Sequence, residues 1–125
     1  TEEKAQAVAE AKFLRALAYF QLAELFAQPY QVSNGTNDAV PLITEAFEGE
    51  ITFPVRANLN AVHAQIKTDL TEAIPALPLD YGNAAENSGR ATVGAAHALL
   101  SRLHLYRDEL TDAIREARAV IATNR

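Results

Sequence analysis

Asp69-Leu70-Thr71-Glu72-Ala73-Ile74 reads again, forty positions later, as Glu109-Leu110-Thr111-Asp112-Ala113-Ile114. Every difference between the two words is one acid exchanged for the other. Repeats at this period are the mark of stacked helical hairpins, in which each unit buries its apolar face against the next. Helical arrays of this kind are mainly binding and scaffolding architectures.

Working outward from the second word, residues 98 to 121 follow the tetratricopeptide pattern of helix A, tight turn and helix B. Leu100 and the small Ser101 sit where helix A needs a large residue followed by a small one. Leu110, Ala113, Ile114 and Val120 supply the helix B face, with Ala113 at the closest crossing, and the stripe continues through Ala117 and Ile121. His104 stands where the pattern usually has an aromatic. The first word gives the same helix B signature through Leu70, Ala73, Ile74 and Leu77, joined to a stripe from Val62 and Ile66. Its helix A is then the N-terminal helix. Glu2 to Gln28 has no Gly or Pro, is dominated by good helix formers, and would run roughly 40 Å. Its apolar residues, Phe13, Leu14, Leu17, Tyr19, Phe20, Leu22, Leu25 and Phe26, wrap most of the circumference. Such a helix is packed on several sides.

The fold expected is all-α: tetratricopeptide-like antiparallel hairpins of about four helices in one domain spanning 1–125. Helix 2–28 is followed by an inserted loop 29–57, helix 58–77, a loop 78–91, and helices 93–107 and 108–123. Pro29 ends the first helix, Asn34-Gly35 marks a turn, and Asn58 and Thr92 are the expected N-caps. Pro75 should tighten the last turn of the second long helix. Leu42, Ile43, Phe47, Ile51 and Phe53 should lay the inserted loop onto the helices. If they do not, the apolar first helix should drive dimerisation. Arg15 with Tyr19, and Arg102 with Tyr106, each stand four apart, which predicts an Arg stem laid along its own ring.

Composition narrows the function. The chain has 16 acids against 11 bases, a net charge of -5, and no basic stripe, so neither nucleic acid nor anionic lipid is an expected partner. No apolar run approaches the eighteen or so residues of a membrane span. Cys is absent, which removes disulfides, thiolate nucleophiles and Cys metal sites. Met is absent too, and with Thr1 at the start the chain reads as an internal piece of something longer. No Gly-rich phosphate loop, nucleophile elbow or paired acids occur, so no enzyme, no cofactor and no metal is expected. His63, His97 and His104 read as packing residues, since His97 and His104, seven apart on one face, make a weak metal signal by themselves. Asn34-Gly35-Thr36 matches a glycosylation sequon but reads as a turn.

The two loops carry the candidate ligand contacts. Tyr30, Gln31, Asn34, Asn37 and Asp38 place one aromatic among amides and a carboxylate, a mixture that suits a polyhydroxylated ligand. Tyr81, Asn83, Asn87 and Arg90 do likewise in the second loop. The same residue types also populate ordinary turns, and without Trp a complete sugar platform is not expected.

Four phrases, in order, resemble one family. Ala11-Lys12-Phe13-Leu14-Arg15-Ala16-Leu17-Ala18-Tyr19-Phe20 resembles the AxFLRAxAYF helix of the SusD/RagB family, and Val40-Pro41-Leu42-Ile43-Thr44-Glu45 its VPLITE segment. Gln65-Ile66-Lys67-Thr68-Asp69-Leu70 resembles its QIxxDL helix, and Gly89-Arg90-Ala91-Thr92 with the following Ala95 to Leu103 its GRAT and AAxALLAR segment. His63 replaces a frequent Tyr, Asn60 a frequent acid, and Asp108-Glu109-Leu110 a frequent Gly-Asp-Tyr. The resemblance implies a non-enzymatic scaffold within a longer outer-membrane, cell-surface lipoprotein. Such a protein binds a glycan or other nutrient and works with a TonB-dependent transporter, its membrane contact made by a lipid anchor outside this chain. The family's ligand contacts vary, so the resemblance fixes no binding residue. The alternative is a free-standing tetratricopeptide-like adaptor for a protein segment, against which stand the low repeat count and the long insertion.

Overall fold

The computed structural model describes residues 1–123. Its elements are α1 (Glu2–Phe26), the short α2 (Tyr30–Ser33), α3 (Leu59–Ala73) with a following 3-10 turn (Ile74–Ala76), α4 (Ala84–Gly89), α5 (Val93–Tyr106) and α6 (Leu110–Ala122). No strand occurs among the described residues; one isolated antiparallel bridge joins Asp38 and Asn58. The all-α hairpin architecture is the one the sequence predicts, with α1 packed on α3, α5 on α6, and α3 on α5.

The caps follow side-chain chemistry. Asn58 Oδ1 accepts from the Ala61 amide at 2.8 Å and Thr92 Oγ1 from the Ala95 amide at 3.2 Å, each satisfying an orphan donor of a first turn. Pro75 lacks a backbone donor, and the chain tightens to 3-10 geometry there, as expected. Several helix ends differ by a few residues from those expected, two of them for a plain backbone reason. α1 stops at Phe26 rather than Gln28, because Ala27 before Gln28-Pro29 already turns extended. α6 starts at Leu110 rather than 108, because Asp108 adopts positive φ in the tight turn. Each predicted loop also contains a short helix, α2 and α4.

Both hairpins are antiparallel with a legible register. Arg15 meets Asp69 and Lys12 meets Glu72, so three steps along α1 match three steps back along α3. His97 meets Glu116 and His104 meets Glu109 in the same way across α5 and α6. Ser101 Oγ donates to the Ala113 carbonyl at 2.8 Å, so the small pair lets the two backbones approach.

The two repeated words do not occupy equivalent places. The first covers the last turn of α3 and enters the 3-10 turn; the second forms the cap and first turn of α6. Ala73 and Ala113 are both buried, but Leu70 is sealed while Leu110 is 58% exposed. α3 lies between α1 and α5, whereas among the described residues α6 packs chiefly on α5. Val62, Ile66 and Leu70 are fully buried on α3, each contributing roughly 1.5–3 kcal/mol of burial. Of the α6 stripe, Leu110, Ile114 and Ile121 face solvent.

The inserted loop is pinched at its base. Ala39 N–H donates to the Ala57 carbonyl, Ala57 N–H to Val40, Leu59 N–H to Asn37 and Asn60 N–H to Gly35. Arg56 staples this base to the end of α1 by donating to the carbonyls of Ala39, Phe26 and Asp38. Val40 is buried and Leu42 packs on the core, but Ile43, Phe47, Ile51, Phe53 and Val55 stand in solvent. The expectation that the loop's apolar residues cover the helices therefore fails beyond Leu42. Leu14, Leu25 and Phe26 of α1 remain exposed as a result. The Arg-on-ring expectation fails for Arg15 as well. Arg15 turns to Asp69, and the Tyr19 hydroxyl instead accepts from Ile43 N–H at 2.7 Å and donates to its carbonyl at 2.9 Å. Tyr106 packs its ring on Phe20, with centroids 5.3 Å apart.

Candidate functional site

Pro29 stands at the N-cap of α2, which carries Tyr30 and Gln31 over a groove between the end of α1, the start of α3 and the α5–α6 turn. Two cavities open there, of about 440 and 370 Å³, and both are lined by Tyr30 and His63. The first is walled by Phe20, Ala23, Leu59, Leu105 and Tyr106 with Glu24 and Gln28 at its rim. The second is mixed, walled by Asn60, Lys67, His104, Arg107 and Glu109 with Leu103.

Arg107 organises this ground. Its Nε donates to Glu109 Oε1 at 2.9 Å, and one terminal nitrogen donates to Asn60 Oδ1 at 3.0 Å and to His63 Nδ1 at 3.2 Å. The same guanidinium lies 4.6 Å from the centre of the Tyr30 ring, a cation–π contact that fixes one face of the ring. Gln31 Nε2 donates to the Tyr106 carbonyl and to Asp108 Oδ2, both at 3.0 Å, which clamps α2 onto the turn. Gly35 completes the frame. It has positive φ, its carbonyl accepts from Asn60 N–H, and a Cβ there would collide with the Asn60 side chain.

Charge states follow from these contacts. Burial, and then the Arg107 cation, lower the His63 pKa to about 4, so its imidazole is neutral near pH 7. Burial raises Glu109, but hydrogen bonds from His104 and Arg107 outweigh it and hold the carboxylate below its ordinary value. Burial and the His97 and Arg115 bonds leave Glu116 lowered in the same way. A hydrogen bond with Glu24 raises the Tyr106 phenol.

Among the sequence candidates, Tyr30 and Gln31 reach the groove. Asn34, Asn37 and Asp38 do not. Asn34 is the left-handed cap of α2, and its carbonyl accepts from Asn60 Nδ2. Asn37 bonds Ser33 and the Gln28 carbonyl, and Asp38 joins the bridge to Asn58. The second loop folds on itself. The Tyr81 hydroxyl engages Glu10 and the Ala91 carbonyl, Arg90 covers the Tyr81 ring at 4.1 Å, and Asn83 caps α4. Asn87 bonds Tyr81 N–H and Asp80. Their amides therefore serve turns, the alternative that their composition always allowed. His63, Asn60, Arg107, Lys67 and Glu109 were missed as site residues. The signal was present, because His63, Asn60 and the 108–110 turn are the departures from the family pattern, and all three meet here.

His104, Glu109 and Asp112 place ligand-type atoms within 4.8 Å of one another, the one set of metal-binding type among the described residues. Arg107 on Glu109 and Arg115 on Asp112 already neutralise its carboxylates.

Stacked antiparallel helical hairpins framing a small mixed groove define a tetratricopeptide-like binding scaffold. The family model described as starch-binding and associating with the outer membrane matches residues 1–105, and the chain belongs to this SusD-like family. A SusD superfamily protein from Bacteroides thetaiotaomicron is 30% identical with a TM-score of 0.86, over 97% of this chain and 25% of that one. One from Bacteroides fragilis is 35% identical with a TM-score of 0.80, over 90% of this chain and 26% of that one. A laminarin-binding SusD-like protein is 34% identical with a TM-score of 0.78, over 96% of this chain and 23% of that one. The chain thus spans about a quarter of the length of these structures. No curated protein matches it. No helix among the described residues is long and apolar enough to cross a membrane.

Proposed function

We propose that this chain is the non-enzymatic helical scaffold of a cell-surface nutrient-binding protein at the outer membrane, one domain of a longer polypeptide, and that its ligand is a glycan. Family membership and the groove under Tyr30 support the reading together: an aromatic ring with one face held by Arg107 stands beside amides, a neutral imidazole and carboxylates. Aromatic faces and mixed donors and acceptors match the two sides of a pyranose. The partner that receives the nutrient is a TonB-dependent transporter. The apolar side chains left in solvent on α1, α6 and the 43–55 excursion favour a life inside a larger assembly, since arrays standing alone carry a polar outer face on their terminal helix.

Affinity electrophoresis of the 125-residue chain through gels containing starch, laminarin, pectin or mannan tests the reading. Retarded migration in at least one gel, with no new reducing ends released from the polymer, is expected. Free migration in every gel would overturn glycan binding, and released reducing ends would overturn the non-enzymatic assignment.

A further inference from the structure

The second cavity, of about 370 Å³, falls within the size range of small-ligand sites and has donors and acceptors left over. His63 is 6% exposed and His104 1% exposed, and both line it. Each ring has a partner at Nδ1 and none at Nε2. No unpartnered side-chain nitrogen or oxygen is sealed from solvent among the described residues, so each Nε2 keeps a trace of solvent access, and His63 stands between the two cavities.

The tautomers are set by the partners. An Arg guanidinium only donates, so His63 Nδ1 accepts and its neutral ring carries the proton on Nε2. A carboxylate only accepts, so His104 donates from Nδ1 at 2.5 Å to Glu109, which leaves its Nε2 as the ring's second polar atom. Lys67 stands four residues after His63 on the same face of α3 and makes neither an ion pair nor a side-chain hydrogen bond. Arg107 and Glu109 neutralise each other, so the uncompensated charge of the lining is the Lys67 ammonium.

We propose that this cavity is a subsite for an acidic sugar, a hexuronate unit, whose carboxylate is held between Lys67 Nζ and His63 Nε2–H while a ring hydroxyl pairs with His104 Nε2. The proposal rests on the glycan-binding reading and names its ligand class. A planar carboxylate presents two acceptors to two donors on one helix face, and charge-assisted bonds of this kind are about twice as strong as neutral ones. A neutral hexose leaves the ammonium unpaired. The -5 net charge of the chain repels polyanions elsewhere on the surface, so retention of a uronate would be local to the cavity.

Amide chemical-shift titration of the ¹⁵N-labelled chain tests it, with trigalacturonate and galactotriose as matched probes and sodium acetate as the carboxylate control. Trigalacturonate should shift amides of residues 60–67 and 104–109, with galactotriose and acetate leaving them in place. The exposed substitution Lys67→Gln should weaken trigalacturonate by about tenfold without changing the helical circular dichroism. Equal or stronger shifts with galactotriose, or an unaltered affinity in Lys67→Gln, would overturn the acidic-sugar assignment. Retention in starch or laminarin gels would at the same time leave the broader glycan reading standing. Silence with both trisaccharides overturns this subsite, and only free migration in every gel removes glycan binding with it.

Discussion

Arg15 grips Asp69 with two parallel hydrogen bonds, Nε to Oδ2 at 2.8 Å and a terminal nitrogen to Oδ1 at 2.6 Å, across the α1–α3 interface. Asp69 is 1% exposed, and its other donor is Gln65 Nε2 at 3.0 Å. The arginine also donates to the Thr44 carbonyl, so one side chain fixes the hairpin register and the root of the inserted excursion.

Removing Arg15 leaves a buried carboxylate with one neutral donor. A fully buried pair broken this way costs about 3–5 kcal/mol, and the one-third exposure of Arg15 reduces the expectation to about 2–3 kcal/mol for Arg15→Ala. Lys12→Ala at the exposed neighbouring pair should cost under about 1 kcal/mol. Urea midpoints of the two variants check the contrast; equal midpoints would deny the buried pair its role.

The His63 pKa is lowered in the folded state, so the unfolded chain binds the additional proton first as pH falls. Its contribution to stability is fully present above pH 6.5 and is lost as pH falls from 6.5 towards about 4. The lowered carboxylates Glu109 and Glu116 contribute above about pH 4.5, and their contribution is lost below it. Stability should therefore decline in two stages on acidification. In His63→Gln the decline between pH 6.5 and 4.5 should flatten, while the steeper fall below pH 4.5 remains. Urea unfolding at several pH values measures both stages.

Gly35 combines positive φ with a backbone that touches Asn60, whose side chain serves both Arg107 and the Asn34 carbonyl. Gly35→Ala should cost about 1–3 kcal/mol and loosen α2 from the groove. Limited proteolysis should then cut near residues 29–37 faster than in the parent. Gly49, with open space about it, should accept Ala with a smaller loss that arises from its positive φ alone.

At the α5–α6 crossing, Ser101 and Ala113 are in hydrogen-bonding contact. Ala113→Leu should separate the helices and cost about 1–3 kcal/mol, read as a lower thermal midpoint. Ile114→Leu, one residue on and more than half exposed, should leave the midpoint unchanged.

Much of this fold was legible because local chemistry decided it. Asn58, Thr92 and Pro75 act within a single turn, and the Val62, Ile66, Leu70 stripe buries as its spacing requires. Reading failed where a position depends on distant neighbours. Leu70 and Leu110 sit in near-identical words, yet α3 is flanked by α1 and α5 while α6 packs chiefly on α5. Arg15 abandons Tyr19 for a partner 54 residues away. The groove was half visible. Tyr30 and Gln31 announce themselves as an aromatic and an amide in a loop, whereas His63 and Arg107 become neighbours only when α3 meets the α5–α6 turn. Asn34, Asn37 and Asp38 have the right composition for ligand contact, but the Asn37 side chain and the Asn34 and Asp38 backbones are engaged at the base of the loop, away from the groove.

The most direct measurement is affinity electrophoresis of Tyr30→Ala beside Tyr81→Phe, in whichever polysaccharide gel retards the parent chain. The groove account predicts free migration for Tyr30→Ala with unchanged helical content, and parental retardation for Tyr81→Phe. Parental retardation of Tyr30→Ala, or its loss in Tyr81→Phe, would contradict it.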